Sequence, residues 1–508
     1  MAFTPSPYQQ AIFDFLDHQT GSAIVEAVAG SGKTTTILEG LNFVSPAATA
    51  QLLAFNKSIA DELGRRIQLI NYQALQDGQF FPTVSASTFH SATFGAVRSH
   101  LAPLNLKVDP HKSRQLCRDP RWLSREDQDL YASYLCKLVG LAKGAGVGTL
   151  IPDDDESWAA LADHHDLMLD SEEADEDEAR NLARELLDRS TKAATTEGLL
   201  DFDDQLYLAC LWNLKLQPKD LIFVDEAQDT NPVRRAIVRK IASHGGRVIA
   251  VGDRNQAIYG FTGASHDALD LIQADFDATA LPLSICYRCS QAVVAQAQTL
   301  VSAIQAHEDA PHGIVDELGI HAALERLGPT DAILCRNTAP LVGAAYKLLS
   351  LGIGCTILGR DLGQGLIGLI QKFRAPSLPI LEAQLEAYRQ REETKYRARE
   401  QWGKAEAVKD RVECIRIIID HLSPTEQSVG ALCDKISRLF TEGGTVLTLS
   451  TIHKAKGREW PKVAILRPDL IPSKWARQDW QLQQENNLLY VAWTRAQEEL
   501  YFLQGELK

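Results

Sequence analysis

Short runs of apolar and β-branched residues alternate with helical patterns toward both ends of the chain. Several of these runs are followed directly by a helical pattern or by a glycine-containing loop, which is typical of parallel strands joined by crossover helices. The pattern therefore predicts an α/β fold with parallel sheets. The predicted strands are 23–28, 51–55, 221–224, 248–251, 332–335, 446–450 and 463–466.

Two segments depart from this alternation and predict helical insertions. The first, 98–197, has no convincing strand pattern and ends in a helical stretch at 178–192. In the second, 366–440, apolar residues recur at steps of three and four from Leu381 to Ile419, as on one face of a helix. We therefore predict two α/β domains, each interrupted by a mostly helical insertion. The predicted domains are 1–97 with 198–282 and 283–365 with 441–508, and the insertions are 98–197 and 366–440.

The segment IVEAVAGSGKTTTIL at 24–38 combines a predicted strand, a glycine-containing turn and the start of a helix. Gly30 and Gly32 let the backbone approach phosphate oxygens closely, and the following helix directs its positive end at the anion. Lys33 supplies a cation for the β- and γ-phosphates, and the Thr34 hydroxyl is suited to holding Mg²⁺. The alternative is a glycine-rich turn that binds nothing. The residues predicted to contact the nucleotide are Ala29, Gly30, Ser31, Gly32, Lys33, Thr34 and Thr35.

A second glycine-rich stretch, KGAGVG at 143–148, lacks a preceding strand. A phosphate-binding loop needs that strand to position it. We therefore predict that these glycines end a helix and bind no nucleotide.

The segment LIFVDEAQD at 221–229 is a buried type of strand that ends in two adjacent carboxylates. A Mg²⁺–nucleotide site needs one carboxylate for the shell of the metal and another to orient or deprotonate water. Asp225 supplies the carboxylate for the metal, and Glu226 supplies the carboxylate for the water. A surface acidic turn is the alternative. Together with the phosphate loop, the segment predicts a nucleoside triphosphatase.

Composition and charge narrow the class of protein only slightly. The chain has 508 residues, of which 45% are hydrophobic and 23% charged, as in ordinary globular proteins. It has no apolar run long enough to span a membrane, and its nine scattered cysteines suit a reducing cytoplasm. Asp14 and Asp17 lie where a secretory signal would need an apolar run, so we expect no export by that route. The net charge is −14, but the segment 153–178 holds thirteen acidic residues and no Lys or Arg. The rest of the chain is thus nearly neutral, so net charge does not exclude a nucleic-acid partner.

Further segments follow one another in a fixed order along nearly the whole chain. They are PYQ at 7–9, FNK at 55–57, TFHS at 88–91, DFDD at 201–204, VGDRNQAIY at 251–259, LSICYRCS at 283–290, TLSTIHKAKGREW at 448–460 and ENNLLYVAWTRA at 485–496. With the phosphate loop and the paired carboxylates, they resemble the motifs of the UvrD/Rep/PcrA-like superfamily 1 DNA helicases. FNK and the Ser-Ile-Ala after it are similar to the F-box-type helicases of that group, and the second insertion is smaller than in larger relatives.

The resemblance implies two RecA-like motor domains that use ATP and Mg²⁺. In the first domain it implies that Gln9 reads adenine through its side-chain amide and that Gln256 senses the γ-phosphate. In the second domain it implies that Tyr287 stacks on adenine and that Glu459 lies near the ribose.

The resemblance also implies two arginine fingers, Arg288 and Arg495, which reach the γ-phosphate from the second domain. Phosphoryl transfer depends mainly on positioning and on charge stabilisation, so cations that arrive only when the domains close can control hydrolysis. The implied catalytic residues are Lys33, Asp225, Glu226, Gln256, Arg288 and Arg495.

Aromatic and polar residues of the same motifs are implied to contact DNA. Bases that stack on aromatic rings give a grip on a single strand that tolerates any sequence. Core packing is the alternative for each aromatic residue taken alone. The implied DNA-binding residues are Phe55, Asn56, Lys57, Thr88, His90, Tyr259, Phe261 and His453.

The resemblance thus implies an ATP-dependent translocase and helicase that moves 3′→5′ on single-stranded DNA or at a single-strand/duplex junction. Its role would be in DNA repair, recombination or replication, in the cytoplasm, and at the nucleoid if the source is bacterial, without a membrane partner. An RNA-directed helicase and a nucleotide-switched DNA-binding subunit of a larger complex remain open. Stronger stimulation of the ATPase by poly(U) than by poly(dT) would indicate the RNA-directed helicase. An ATPase that is insensitive to any nucleic acid would indicate the nucleotide-switched subunit.

Several positions depart from the family pattern. Thr35 stands where many relatives place an arginine against adenine, Phe261-Thr262 replaces a common Trp-Arg pair, and Cys286 replaces a common asparagine. The sequence ends twelve residues after Ala496, without room for the hairpin with which relatives separate duplexes. We therefore expect weak or partner-dependent unwinding.

The acidic run 153–178 allows two interpretations. One is a disordered, solvated loop, and the other is a DNA mimic that competes for the DNA-binding surface. The run, or the second insertion, is also where we expect a protein partner to bind.

Overall fold

The computed structural model describes residues 3–76, 78, 80–165, 167, 169, 174–258, 267–398, 402–441, 446–474, 476 and 479–504. The chain divides into two compact units. The first consists of Met1–Ala27 and Gly32–Leu283, and the second of Val28–Ser31 and Ser284–Lys508. Among the described residues, no helix is both long enough and apolar enough to cross a membrane.

The first unit is built on a sheet of six parallel strands. The strands of the whole unit are β1 Ala23–Ala27, β2 Thr49–Ala54, β3 Thr83–Thr88, β4 Lys107–Val108, β5 Leu199–Leu200, β6 Leu221–Val224, β7 Arg247–Gly252 and β8 Thr279–Leu283. The order in the sheet is β3-β2-β6-β7-β1-β8, and β4 pairs only with β5. Because β6, β7 and β1 are parallel neighbours, the residues that follow them emerge at one edge of the sheet.

Helices cover this sheet and extend it into the predicted first insertion. They are α1 Pro7–His18, α2 Lys33–Gly40, α3 Lys57–Gln76, α4 Phe89–His100, α5 Lys112–Cys117, α6 Arg125–Ala145, α7 Asp155–His164, α8 Glu176–Glu197, α9 Phe202–Leu211, α10 Pro232–Ile241 and α11 Ala268–Phe276. One apolar cluster joins both regions, since it contains Leu135 and Trp158 of the helical region together with Ile222 of β6. The helical region therefore shares a core with the sheet.

The acidic run is ordered wherever the structure describes it. The Asp154 side chain accepts a hydrogen bond from the backbone of Ser157 at the start of α7, and Asp175 does the same for Glu178 at the start of α8. Trp158 of α7 is fully buried. Carboxylates at helix N-termini are favourable because they satisfy free N–H groups and oppose the helix dipole. The interpretation as a disordered loop is thus wrong for these described residues.

The stretch KGAGVG ends a helix, as predicted. Gly146 closes α6 in the left-handed conformation with φ of 80°, which an L-residue adopts only with strain. The Lys143 ammonium is buried and lies 2.6 Å from Asp201 and 2.7 Å from Asp204. Lys112, on α5, lies 2.6 Å from the same Asp204 carboxylate. The segment DFDD therefore anchors the helical region through buried ion pairs.

The second unit contains a sheet of seven parallel strands. The strands of the whole unit are β9 Ile285–Cys286, β10 Gln305–Ala306, β11 Ile314–Gly319, β12 Ala332–Cys335, β13 Cys355–Leu358, β14 Phe440–Thr441, β15 Leu447–Thr451, β16 Trp460–Leu466 and β17 Ala496–Gln504. The order in the sheet is β11-β17-β16-β12-β15-β13-β14, and β9 and β10 form a separate pair. Two parallel sheets with flanking helices confirm the predicted α/β class.

The helices of the second unit include those of the predicted second insertion. They are α12 Gln291–Gln298, α13 Ile320–Arg326, α14 Thr338–Ser350, α15 Arg360–Phe373, α16 Leu378–Ala398, α17 Trp402–Asp420, α18 Val429–Leu439, α19 Ile452–Ala455 and α20 Asp479–Trp493. Leu381 and Leu385 of α16 and Ile415 of α17 lie in one apolar cluster with Ile333 of β12. The predicted apolar face is therefore the face that packs onto the rest of this unit.

Candidate nucleotide and nucleic-acid sites

The phosphate loop of the first motif joins β1 to α2. Gly30 and Gly32 both have positive φ, 67° and 77°, and Gly32 caps the N-terminus of α2. Residues with a side chain rarely adopt this backbone conformation, which explains why the sequence has glycine at both positions. The Ser31 hydroxyl is buried and, among the described residues, has no hydrogen-bond partner. A buried hydroxyl without a partner beside a helix N-terminus fits a loop that binds phosphate.

Lys33, the first residue of α2, connects the phosphate loop to the paired carboxylates. Its Nζ lies 2.8 Å from Oε1 of Glu226. Burial by itself would lower the pKa of Lys33, but the charges of Glu226, Asp225 and Asp253 outweigh that effect and raise the pKa. Thr34 and Thr35 follow in the first turn of α2 and are partly exposed.

Three carboxylates follow the neighbouring strands β6 and β7. Asp225 and Glu226 come directly after β6, and Asp253 comes directly after β7. Burial, and then the charge of Glu226, raises the pKa of Asp225 to about 6. Burial also raises the pKa of Asp253, whose side chain is fully enclosed. The site thus concentrates negative charge around one lysine, which suits a divalent cation.

The raised pKa of Asp225 predicts how the stability of the protein without ligands depends on pH. Above its ordinary pKa of 3.8 the unfolded chain releases this proton, while the folded chain holds it up to about pH 6. The free energy of unfolding should therefore fall as the pH rises through this window. Asp225→Asn should remove that fall and stabilise the protein at pH 7 by on the order of 2 kcal/mol. Urea unfolding at pH 4 and pH 7 measures both effects.

Asp220 provides a control of opposite sign for this prediction. Hydrogen bonds from the backbone and side chain of Thr49 lower the pKa of its exposed carboxylate. Asp220→Asn should therefore destabilise the protein at pH 7. If Asp225→Asn also destabilised the protein at pH 7, the ionised Asp225 carboxylate would not lower the free energy of unfolding as predicted.

A glutamine that the sequence interpretation did not single out organises these carboxylates. Gln228 donates from Nε2 to Oε2 of Glu226 at 2.6 Å, and its Oε1 accepts from the N–H of Asp253 at 3.0 Å. Gln256, the expected γ-phosphate sensor, donates from Nε2 to Oδ2 of Asp253 at 2.7 Å. Glu226 has a φ of 49°, a strained backbone conformation that is common at functional sites. Its position two residues after Glu226 was the feature of the sequence that could have identified Gln228.

Gln9, expected to read adenine, is almost fully buried. Its Nε2 donates to the Thr36 hydroxyl at 3.0 Å, and its Oε1 accepts from the N–H of Ser6 at 3.0 Å. Ser6 and Gln9 thus form a capping box at the start of α1. The amide is therefore held in a fixed orientation.

In the second unit, Tyr287 presents its ring to solvent and packs against His307, with ring centroids 4.9 Å apart. The N–H of Tyr287 donates to the carbonyl of Gly30 at 2.9 Å. A residue not singled out from the sequence, Tyr490, accepts from the N–H of Ala29 at 2.9 Å. The loop segment Val28–Ser31 of this unit is thus held by backbone and tyrosine contacts.

The two expected arginine fingers have different surroundings within the second unit. Arg288 forms an ion pair with Glu459, and its Nη1 donates to the carbonyl of Thr494 at 3.3 Å. The Arg495 side chain is fully buried, with Nε donating to the carbonyl of Val491 at 3.0 Å. Glu459, expected near the ribose, also accepts from Gln497 at 3.1 Å. The structure therefore brings Arg288 and Glu459 together.

The expected DNA contacts of the first unit lie where β2 and β3 end and their helices begin. The guanidinium of Arg234 lies over the ring of Phe55, 4.4 Å from the centroid of that ring. The Asn56 side chain accepts from the N–H of Ile59 near the start of α3, and Lys57 is exposed there. Arg234 was not singled out from the sequence, because only the fold brings α10 beside Phe55.

Thr88 and His90 lie at the start of α4. The Thr88 hydroxyl caps this helix by accepting from the N–H of Ser91 at 3.1 Å. Burial, and then the charge of Arg234, lowers the pKa of His90 to about 4. The imidazole is therefore neutral at pH 7 and suited to stacking or hydrogen bonding.

In the second unit, burial, and then the charge of Arg336, lowers the pKa of His453 to about 4. This imidazole is likewise neutral at pH 7. Tyr259 and Phe261, both expected to contact DNA, lie outside the described residues.

Two family profiles match the chain, and several known proteins are similar to it. The profile of the UvrD/REP helicase N-terminal domain matches residues 8–277, and that of the UvrD-like helicase C-terminal domain matches residues 381–505. A probable DNA helicase II homolog of Mycoplasma pneumoniae is 26% identical over 57% of this chain and 41% of its own length. The ATP-dependent DNA helicase UvrD2 of Mycobacterium tuberculosis is 26% identical over 94% of this chain and 75% of its own length.

DNA helicase II of Salmonella typhimurium is 28% identical over 55% of this chain and 38% of its own length. The chain thus aligns with less than half of two of these three relatives and with three quarters of the third. These similarities confirm the resemblance found in the motifs. Since the N-terminal profile alone spans more than half of the chain, the protein belongs to the UvrD/REP helicase family.

Proposed function

We propose that this protein hydrolyses ATP and uses the reaction to move 3′→5′ along single-stranded DNA. The observation that carries the proposal is the cluster of Lys33, Asp225, Glu226 and Asp253 beside a phosphate loop. One cation and three carboxylates lie together in this cluster, as the binding of a triphosphate and its metal ion would require. Relatives named as ATP-dependent DNA helicases support the same activity.

The residues of the phosphate loop and of the carboxylate cluster fit ATP and Mg²⁺. Gly30, Ser31 and Gly32 would hold the phosphates, and Lys33 would neutralise them. Thr34 and Asp225 would hold Mg²⁺, which when bound polarises the γ-phosphate and neutralises developing charge.

Glu226 would orient the attacking water and accept its proton. Its ion pair with Lys33 and its hydrogen bond from Gln228 fix the carboxylate. Gln256, which donates to Asp253, would report on the γ-phosphate.

Residues of the second unit would contribute aromatic stacking and positive charge. We assign adenine stacking to the exposed ring of Tyr287 and ribose contact to Glu459. We assign charge neutralisation at the γ-phosphate to Arg288 and Arg495. Use of Arg288 requires that it exchange its ion pair with Glu459 for the phosphate.

Single-stranded DNA is the proposed substrate, and the ends of β2 and β3 are the proposed contact surface in the first unit. Phe55 would stack on a base, Asn56, Lys57 and Thr88 would contact the backbone, and His90 would add a neutral ring. Tyr259, Phe261 and His453 complete the proposed set. DNA repair, recombination or replication is the proposed setting, within the cytoplasm.

Phe55→Ala should weaken binding to oligo(dT) by ~10-fold or more, because stacking on one aromatic ring contributes about 1–3 kcal/mol. Fluorescence anisotropy at fixed salt measures this affinity. The matched control is Phe80→Ala, which removes a ring that is 88% exposed and lies beyond the end of α3. Equal affinity of the two variants would exclude Phe55 from the DNA surface.

Displacement of streptavidin from biotinylated oligo(dT) tests translocation and its direction. With ATP, the protein should release streptavidin from the 5′ end faster than from the 3′ end, and without ATP the two rates should be equal. Faster release from the 3′ end would reverse the proposed polarity. Equal rates with ATP would contradict directional movement.

A further inference from the structure

Two cysteines on neighbouring helices of the first unit form a thiol pair outside the proposed nucleotide site. Cys117 is the last residue of α5, and Cys136 lies in the middle of α6. Helices α5 and α6 pack against each other, and Cys136 packs against the apolar cluster that contains Cys117, so that each thiol shifts the pKa of the other. All nine cysteines are in the thiol form.

The two sulfurs have different access to solvent. Cys117 is fully enclosed in the apolar cluster of the first unit. Cys136 is partly exposed and lines an open cavity of about 370 Å³, to which Arg114 and Lys137 also contribute. A small reagent can therefore reach Cys136 from the cavity, whereas Cys117 is enclosed.

The contact also distinguishes the two thiols chemically. The hydrogen bond from Cys117, assisted by the charges of Arg114 and Lys143, lowers the pKa of Cys136. The same hydrogen bond, together with burial, raises the pKa of Cys117. Cys136 is thus favoured as the thiolate and Cys117 as the proton donor, the arrangement of a reactive cysteine beside a resolving one.

We propose that Cys136 is an oxidation site for hydroperoxides that enter this cavity, and that Cys117 resolves the product as an intramolecular disulfide between α5 and α6. The inference is independent of the proposed helicase function, because neither cysteine belongs to the nucleotide or DNA residues.

The reaction balances with one hydroperoxide. The Cys136 thiolate attacks the terminal peroxide oxygen, so that a sulfur–oxygen bond forms and the oxygen–oxygen bond breaks. The alkoxide, or hydroxide, leaves and takes from the solvent the proton that the Cys136 thiol released on ionising, which gives an alcohol, or water. The Cys117 sulfur then attacks the sulfenic acid, so that the disulfide forms and hydroxide leaves with the proton of Cys117 as water. Two thiols lose two electrons, and the peroxide gains them.

Another thiol pair lacks the access that this chemistry requires. The N–H of Cys289 donates to Sγ of Cys286 at 3.4 Å, but both side chains are enclosed. Cys433 has partial exposure like Cys136, but burial raises its pKa. A lower thiolate fraction slows attack, by up to ~10-fold for each unit of pKa. Cys433 is therefore a matched control of similar exposure.

Brief treatment of the intact native protein with hydrogen peroxide, followed by thiol counting after denaturation, tests the proposal. The unaltered protein and Cys433→Ser should each lose two thiols, and Cys136→Ser should lose none. Cys117→Ser should instead accumulate a sulfenic acid at Cys136 that dimedone labels. Loss of two thiols from Cys136→Ser would overturn the proposal.

Peptide mapping of the oxidised, unaltered protein keeps the test valid if a variant fails to fold. Trypsin should release the peptides 115–118 and 126–137 joined by a disulfide. Recovery of both peptides as free thiols, while Cys433 or the Cys286–Cys289 pair is oxidised, would also overturn the proposal.

Discussion

Lys33→Ala is expected to abolish detectable ATP binding and, with it, all ATP hydrolysis. The ammonium is the cation that faces Glu226, Asp225 and Asp253, and its raised pKa keeps it charged. Its removal leaves these carboxylates uncompensated where a triphosphate would have to bind. Losing one partner of such a cluster costs about 3–5 kcal/mol, which corresponds to an affinity loss of roughly 100- to 4,000-fold.

Binding of a fluorescent ATP analogue measures this loss, and hydrolysis at saturating ATP confirms it. The control is Lys215→Ala, which removes an exposed lysine of the same unit and should leave binding unchanged. Circular dichroism establishes that both variants are folded. An affinity of Lys33→Ala within a factor of about three of that of the unaltered protein, instead of the expected loss of roughly 100-fold or more, would remove Lys33 from the site.

Glu226→Gln is expected to keep ATP binding and to lose turnover by ~10²–10⁴-fold, the contribution typical of a positioned general base. The amide has nearly the same shape as the carboxylate but cannot accept the proton of water at pH 7. It also removes one negative charge from the neighbourhood of Lys33, so affinity for ATP should be equal or higher. A fall in kcat without a rise in the dissociation constant identifies this role.

The control for this substitution is Glu197→Gln at the exposed end of α8. Its hydrolysis and binding should both match those of the unaltered protein. Hydrolysis by Glu226→Gln at the unaltered rate would show that another group activates the water. Loss of binding would instead indicate that Glu226 mainly positions Lys33.

The four central strands of the first sheet were predictable from the sequence because they are buried, whereas β13 and β17, which lie inside the second sheet, were not predicted. The four residues of β6 are all buried, and the apolar run of the sequence has the same bounds as the strand. Edge strands lack this signal. On the outer strand β3 the residues are partly exposed and include Ser and Thr, and β8 at the other edge contains Pro282. Neither edge strand was predicted.

Lys33, Asp225 and Glu226 were named from the sequence because their motifs follow the apolar runs of β1 and β6 along the chain, whereas Asp253, which follows β7, was not named. Lys33 and Glu226 were inferred separately, and the fold brings them to 2.8 Å. The contributions of Gln228, Arg234 and Tyr490 were not predicted. Each acts through a contact with a residue distant in sequence or through a local turn, and neither leaves a periodic pattern.

The acidic run shows why charge density alone gave a wrong expectation. Thirteen carboxylates without a cation in the segment suggest a solvated chain. Within it, however, Trp158 anchors α7 in the core, and Arg184 of α8 pairs with Asp153 and Asp155. Cations from outside the segment therefore compensate part of its charge.

ATP hydrolysis by the unaltered protein with poly(dT), with poly(U) and without nucleic acid tests the central claim most directly. A motor that couples DNA contact to the nucleotide site should hydrolyse ATP ~10-fold or more faster with poly(dT) than without it, and poly(U) should stimulate less. Stronger stimulation by poly(U) would make RNA the substrate. A rate that is the same in all three conditions would contradict the motor and favour a nucleotide-switched binding subunit.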